Sequence, residues 1–357
     1  MTPPPSGGCT AASRWAPARW VTWGRSLGEP RPLRVLSRGL GLAAARVRGR
    51  PRPFSITFIL THRCNFRCAH CDVPEAAAYE MSTDEFRRAI DELADAGMMR
   101  ASFSGGEALL RDDLGTLVRH ARERGCVTSL NTNGWLHQRF LEEVAPWLDV
   151  LMVSIDGPEP AHDLVRREGS FGRAIRTLRA ARERGIATTT ITVLQPGNLR
   201  LVDEVLTLAR REGFWAYFQP AYADCFDHHA GLHPALGGRV LADVADRLAR
   251  ARDAGDPVGA SAGYLERLRS APAFGDCTRC AAGRYFATVF PDGAVVPCHL
   301  QSQGPGPNGL DIGFAEAFAA LARPSGPGCA ISPYQELDLI FGLDRHAIAA
   351  ALRRLAG

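Results

Sequence analysis

Lysine is missing from this 357-residue chain, and all 42 of its basic residues are arginine. The replacement is uniform rather than confined to candidate sites, so it reflects coding bias and excludes treating each arginine as selected for its own chemistry. Long apolar runs are missing too. Residues 1–52, rich in Pro, Gly and Arg, contain uninterrupted apolar runs of only a few residues, which excludes a bilayer-spanning helix there and the continuous apolar segment of a signal peptide. Acid is nearly absent from the same stretch, where nine arginines in residues 1–50 face the single carboxylate of Glu29. The formal charge of +4 therefore belongs to this leader, and the rest of the chain is net acidic. With 46% hydrophobic and 22% charged residues, the chain can bury a full core in one large domain, or one plus a smaller one, which excludes disorder over the whole length.

Within the leader, Leu33, Leu36, Leu40 and Val47 alternate with Arg34, Arg38, Arg46 and Arg48. The pattern suits a basic, weakly amphipathic helix making weak contact with an anionic membrane surface, although Gly39 and Gly41 weaken it. A poorly ordered terminus is the other reading of residues 1–52.

From Pro53 onward the pattern becomes regular. The runs at 55–60, 101–104, 127–133, 150–156, 186–194 and 214–220 are short and largely apolar or β-branched, and each reads as a buried strand. Segments of helical period lie between most of them. The clearest opens with MSTDEF, where Ser82 can cap, Glu85 follows three residues later, and Phe86, Ile90 and Leu93 continue at helical spacing. Gly97, Gly125, Gly185 and Gly213 each stand just before a strand, and ARERG occurs at both 121–125 and 181–185, marking repeated βα units. The expected class is α/β, with a partial (β/α)6 TIM-like barrel over 53–225 fitting the count better than a doubly wound sheet; either way chemistry belongs at the carboxyl ends of the strands.

The stretch CNFRCAHC lies just beyond the first strand and holds Cys64, Cys68 and Cys71. Three is odd, and the chain is far longer than small disulfide-stapled scaffolds, so a metal is the better explanation. Three thiolates on one loop can bind three irons of a [4Fe-4S] cluster and leave the fourth open. Zinc would want a fourth ligand nearby, and His70, between Cys68 and Cys71, is awkwardly placed to serve.

CNFRCAHC, taken with SGGE at 104–107 after the second strand, resembles the radical S-adenosylmethionine (radical SAM) superfamily, with its CxxxCxΦC signature and GGE motif. The resemblance implies that Cys64, Cys68 and Cys71 hold the cluster and that its open iron chelates the cofactor's methionine amine and carboxylate. It implies His70 beside the adenine, and Gly105, Gly106 and Glu107 around the methionine ammonium. Glycines let a backbone approach a ligand closely, and an acid is a natural partner for a cation. Ser154 and Asp156, ending the fourth strand, match positions that contact the cofactor's ribose or carboxylate, and Arg166 matches an arginine that pairs with that carboxylate. Asn131 and Asn133 face the same mouth; for all five, a helix cap, turn or surface charge is the structural alternative.

A second group, Cys277, Cys280, Cys298 and Cys329, surrounds FPDGAVVPC, which reads as a hairpin turning at Asp292 and Gly293. It resembles the SPASM extension of radical SAM enzymes, or its shorter relative twitch, over 271–335. No CxxCxxxxxCxxxC follows Cys298, so twitch fits better, and four thiols would ligate one auxiliary [4Fe-4S] cluster. A structural zinc ribbon on the same cysteines is the alternative. A helical connection is expected over 226–270 and a C-terminal helix over 336–357. Cys9 carries no information, Cys126 reads as a small buried side chain, and Cys225 lies in a loop after the sixth strand with Tyr222, Asp224, His228 and His229. Cys225 there could donate a hydrogen atom to a substrate radical, with its neighbours binding or deprotonating substrate; a polar loop around a buried cysteine is the plain reading.

The resemblance implies a cytoplasmic enzyme that receives an electron from a donor such as flavodoxin or ferredoxin, cleaves S-adenosylmethionine to a 5′-deoxyadenosyl radical and removes a hydrogen atom from substrate. Oxidation or rearrangement of a small biosynthetic intermediate is the first expectation. Maturation of a ribosomally made peptide is the second, although no separate leader-binding winged-helix domain is visible. A lipid or isoprenoid substrate at the membrane surface is the third, since HDLVRREGSFGRAIRTLRAARERG resembles the hopanoid-pathway branch. No nucleic-acid partner is expected. A non-enzymatic metal-binding protein would not need the GGE motif.

Overall fold

The computed structural model describes residues 48–75, 79–221, 236–270, 280–298, 306–324 and 329–356. The leader to residue 47, Cys277 and the loop bearing Cys225, Tyr222, Asp224, His228 and His229 lie outside the described residues. Six βα repeats are present. Strands β1 (Ser55–Ile59), β2 (Arg100–Ser104), β3 (Val127–Thr132), β4 (Val150–Ser154), β5 (Ala187–Leu194) and β6 (Trp215–Pro220) are joined by helices α1 (Thr83–Asp95), α2 (Leu114–Glu123), α3 (Glu159–Val165), α4 (Ser170–Glu183) and α5 (Val202–Glu212), with α3 and α4 both between β4 and β5 and short helical turns over 137–147 between β3 and β4. Helix α1 begins at the expected capping box: Ser82 accepts from the Glu85 N–H and Glu85 returns the bond to the Ser82 N–H. The four expected stop glycines all adopt positive φ, from 73° at Gly185 to 115° at Gly97, a conformation that ends a helix cheaply only without a Cβ.

After β6 come α6 (Gly238–Asp253) and α7 (Ala262–Arg269), then the hairpin β7 (Phe286–Val289) and β8 (Val295–Val296), turning at Asp292–Gly293 as expected. Helices α8 (Phe314–Ala319), α9 (Ser332–Phe341) and α10 (Arg345–Ala356) follow. Two helices thus stand where one C-terminal helix was expected; the chain breaks at Gly342–Asp344, with Leu343 at φ 63°. Among the described residues no helix is long and apolar enough to cross a membrane.

The sheet order is β6-β5-β4-β3-β2-β1-β7-β8, parallel throughout except for the last pair. Strand β7 runs parallel beside β1, Ser55 opposite Phe286 and Phe58 opposite Val289, so the hairpin extends the sheet of the βα repeats. In a flat sheet six strand spacings of about 4.8 Å would hold β6 and β7 roughly 29 Å apart. Yet Ser332 and Tyr334, two residues apart on α9, reach both. The Ser332 N–H donates to Gln219 Oε1 of β6 at 3.3 Å, and the Tyr334 hydroxyl lies 3.2 Å from the Thr288 hydroxyl of β7. The sheet is therefore curled, and α9 stands across its open side.

Alternation along each strand divides two environments. Ile56, Phe58, Ala101, Phe103, Leu130, Leu151 and Val153 are fully buried with Phe86, Ile90 and Leu93 of α1 and their counterparts on the other helices. The intervening residues look inward and are largely polar on β1 to β3: Thr57, Ser102, Ser104 and Asn131 line a cavity of about 230 Å³. Phe103 stacks on Phe58 with ring centroids 5.7 Å apart in the outer layer. Phe103→Ala should cost about 3–5 kcal/mol through lost burial and the void left behind. Urea unfolding checks this, and a cost below about 1 kcal/mol would show that the layer collapses around the void.

Candidate functional site

The first cysteine loop leaves the carboxyl end of β1 and is anchored at several points. The Asn133 amide, beyond β3, donates to Asn65 Oδ1 at 2.8 Å, and Arg167 donates to the Asn65 carbonyl at 3.2 Å. Phe66 meets Trp135 edge-on at 5.6 Å, while the guanidinium carbons of Arg167 and Arg173 lie 4.0 Å from the Trp135 ring centroid. The Ala69 N–H donates to the Val165 carbonyl at the end of α3. Cys64, Cys68 and Cys71 are free and half-buried. Burial pushes the Cys64 and Cys68 thiols up to about 11, and raises Cys71 likewise. Groups that favour thiolate include the Phe66 N–H, 3.4 Å from Cys64 Sγ, and Arg166, whose Nη1 is 4.0 Å from Cys68 Sγ.

This donor set suits a cubane with one open iron: three unpaired thiols at a barrel rim, beside a fixed cation. Among the described residues no three His, Cys, Asp or Glu side chains converge on a single metal-ion position; a cubane instead asks each thiolate for a separate iron.

The SGGE segment carries the β1–β2 pairing past the strands. Gly106 N–H donates to the Thr61 carbonyl at 2.8 Å, and Glu107 N–H to the Arg63 carbonyl at 2.9 Å. A Cβ on Gly105, at φ 147°, would lie 2.4 Å from the Thr61 carbonyl oxygen, and one on Gly106 would lie 2.3 Å from that of Arg63. Both glycines are thus required by the close approach of the cysteine loop, and Gly105 also borders the cavity. The Glu107 carboxylate, expected to receive the methionine ammonium, has protein partners of its own. It is fully buried and accepts from the Thr132 hydroxyl, the Asn133 N–H and the Leu109 N–H, so its carboxylate sits inside the wall, tying β2 to β3. Burial raises its pKa while these donors oppose the rise.

Asp156 and Arg166, both expected to face the cofactor, face each other. Arg166 Nε donates to Asp156 Oδ2 at 2.6 Å, and Asp156 Oδ1 accepts from the Val193 N–H at 2.9 Å. Burial alone would raise the Asp156 carboxyl, but the Arg166 guanidinium holds it below its ordinary value. The pair fixes Arg166 beside Cys68. Ser154 ends β4 half-buried, and His70 Nδ1 lies 3.1 Å from the Gln195 amide nitrogen beyond β5. Asn131 lines the cavity and donates to Ser104 Oγ at 3.3 Å. Behind the pair, His162 is wholly buried, its Nδ1 accepting the Asp156 N–H at 3.2 Å.

The C-terminal cysteines gather at the seam that α9 covers. Cys298 and Cys329 are buried in one cluster with Phe286, Ile331 and Tyr334, and Cys280 packs against it. Ile331 and Tyr334 belong to this cluster and also line the cavity, so the two adjoin. Cys126 is buried as expected, its Sγ 3.6 Å from the Met98 carbonyl.

The sequence reading passed over one cavity residue, Arg100. It opens β2, and its guanidinium reaches the Ser55 and Ser129 hydroxyls at 3.1 and 3.0 Å. The available signal was an alternation, R-A-S-F-S, that leaves a charge on the polar, inward face.

Residues 58–209 match the Radical SAM superfamily. The PqqA peptide cyclase of Rhodopseudomonas palustris is 30% identical over 292 residues, covering 76% of this chain and 73% of that protein. Its counterpart in Xanthomonas axonopodis pv. citri is 31% identical over 262 residues, covering 70% and 68%. The chain belongs to the radical SAM superfamily. It is an iron–sulfur enzyme whose cofactors are a [4Fe-4S] cluster and S-adenosylmethionine. Streptococcus suis SuiB bound to S-adenosylmethionine matches with a TM-score of 0.64 at 13% identity over 83% of this chain and 72% of that one. The structure of anSMEcpe with bound AdoMet matches with 0.59 at 17% identity over 84% and 99%. At these identities the likeness shows the fold alone, a TIM-like barrel.

Two outcomes follow from this geometry. Gly106→Ala should weaken S-adenosylmethionine binding at least ~10-fold by displacing the cysteine loop's backbone, whereas Gly172→Ala, with open space around its Cβ, should not. Calorimetry on reconstituted protein distinguishes them, and equal affinities would show that the contact relaxes without moving the loop. For His162, burial and then the Arg166 charge pull the ring down to about 4, so it folds neutral. Its stabilisation is complete above the unfolded value of about 6.5 and is lost as pH falls toward the folded value, about 3 kcal/mol in all. His162→Gln should flatten that acid limb in urea unfolding measured across pH.

Proposed function

We propose that this chain is a radical SAM maturase that oxidises a ribosomally made peptide, forming a new bond within it. The observation that carries the proposal is the similarity to PqqA peptide cyclases, which spans 76% of the chain, more than residues 58–209 could supply. It therefore extends beyond the part common to the superfamily. This moves the preferred substrate from a small intermediate, the first expectation, to a peptide. The small substrate keeps one argument in its favour, a cavity of about 230 Å³ that admits a side chain or a small molecule more readily than a folded segment.

In this proposal Cys64, Cys68 and Cys71 hold the [4Fe-4S] cluster at the rim. Gly105 and Gly106 offer backbone to the cofactor, with Ser154 and His70 beside it. Arg166, held in place by Asp156, sets a positive charge next to Cys68 and the cofactor carboxylate. Glu107 keeps the loop ends in register from within the wall. When bound, the cluster and cofactor supply reductive cleavage and hydrogen-atom abstraction; the protein orients the substrate and limits water in the cavity. Cys280, Cys298 and Cys329, with Cys277, would hold an auxiliary [4Fe-4S] cluster in a twitch-like segment over 271–335, and that cluster would supply an acceptor for the substrate's second electron. Cys225 remains a secondary candidate as hydrogen donor. The electron source is a flavodoxin or ferredoxin, and the compartment is the cytoplasm.

The test combines anaerobically reconstituted enzyme, S-adenosylmethionine, a reductant and any short peptide found encoded beside this gene. Mass spectrometry should show a product lighter by two hydrogens, and an unchanged or isomeric peptide would overturn the proposal. Cys298→Ala should still cleave the cofactor yet lose the oxidised product, whereas Cys225→Ala should retain it. Iron analysis should give about eight irons per chain, falling to about four when Cys64, Cys68 and Cys71 are replaced by alanine. Zinc with only four irons would remove the auxiliary cluster and leave the first intact.

A further inference from the structure

Arg100 raises a separate question about the barrel interior. It has five N–H donors, and two of them bond the Ser55 and Ser129 hydroxyls. Among the described residues no carboxylate pairs with it; its other electrostatic neighbours are the phenols of Tyr334 and Tyr217. Burial pulls its guanidinium below its ordinary value, so the charge is held against a real desolvation cost. Buried arginines elsewhere in this chain have acids: Arg166 has Asp156, and Arg111 has Asp113 at 2.6 Å. Arg100, half-buried, instead lines the cavity.

The shape of that space adds a second argument. Ser104 and Gly105 border the cavity at the carboxyl end of β2 and Arg100 at its amino end, four residues away, or about 13 Å along the strand. A volume of about 230 Å³ spread over such a depth is one extended chain wide. Its remaining polar lining, Thr57, Ser102, Asn131, Gln219 and Tyr334, carries no formal charge that would neutralise an anion or repel one.

We propose that Arg100 is the binding site for a carboxylate of the substrate, which reaches it by extending down the barrel interior from the mouth. A planar guanidinium with free donors fits a two-oxygen anion in a fork, and the anion offsets the desolvation that the chain leaves uncompensated. The inference deepens the peptide proposal by requiring an acidic side chain or a free carboxyl terminus at the inserted end. Binding probes test it without turnover, so its failure and that of the maturase proposal are distinguishable.

The probes are glutarate against glutaramide, and tri-alanine acid against tri-alanine amide, measured with the reconstituted enzyme by saturation-transfer NMR at constant ionic strength. At least one acid should bind ten times or more tightly than its amide. A response to glutarate alone identifies a side-chain or small acid, and a response to tri-alanine acid alone identifies a chain terminus. Arg100→Gln should abolish the preference, and Arg100→Lys should keep part of it by retaining the charge without the fork. Ser102→Leu should also abolish it by filling the cavity while Arg100 keeps both hydroxyl bonds, which decides the matter if Arg100→Gln does not fold. Equal binding of acids and amides, no binding of either acid, or a preference that survives Arg100→Gln would overturn the proposal.

Discussion

A parallel sheet of βα repeats can curl, but six strands do not complete the ring, and this molecule depends on how the remaining gap is covered. Helix α9 does so with two residues, Ser332 toward β6 and Tyr334 toward β7. The preceding segment reinforces the closure, since the Tyr264 hydroxyl of α7 donates to or bridges the Phe218 and Ala330 carbonyls at 2.9 and 3.0 Å. Closing the seam turns polar inward-facing side chains, which would be wet on an open sheet, into the lining of a cavity. It also puts Cys298 and Cys329 in a cluster that shares Ile331 and Tyr334 with that lining. The extension is thus structurally continuous with the barrel: β7 adds to the sheet and α9 supplies its missing wall.

Inside that wall the chain treats charge in two ways. Asp156 and Arg166 compensate each other, and the pair is further tied down by the Val193 N–H and the Asp156 N–H to His162 bond. Such an arrangement fixes an orientation more than it adds stability, because both ions were taken from water to form it. Glu107 follows a related logic with neutral donors, three of them, converging on a carboxylate that reaches no solvent. Arg100 has hydroxyls alone. The first two are finished structures; the third lines a cavity and pairs with no carboxylate among the described residues.

The repeating units were legible because burial leaves a periodic trace: all six strands and the capping box at Ser82 follow from apolar spacing and a local hydrogen-bonding pattern. The cysteine loop was legible because its ligands are close in sequence. The pairing of β7 with β1 was not, since strand partners some 230 residues apart leave no shared local signal. Nor did the sequence show that Asp156 and Arg166 meet, because an acid ten residues before an arginine reads alike whether the two bond each other or only a third group. Arg100 was missed for a related reason. Alternation shows which residues share a face, but whether that face meets helices or a cavity is settled only when the sheet curls.

The anchoring of the cysteine loop bears on the order in which such a protein is assembled. In small metal-dependent domains the ligands are brought together by the ion, so metal uptake and folding are one event. Here Asn65 and Phe66, between the first two cysteines, are held by Asn133, Arg167 and Trp135, all parts of the barrel. Part of the ordering of this loop is therefore supplied by the barrel's own side chains, so folding and cluster uptake need not be one event as they are in those small domains.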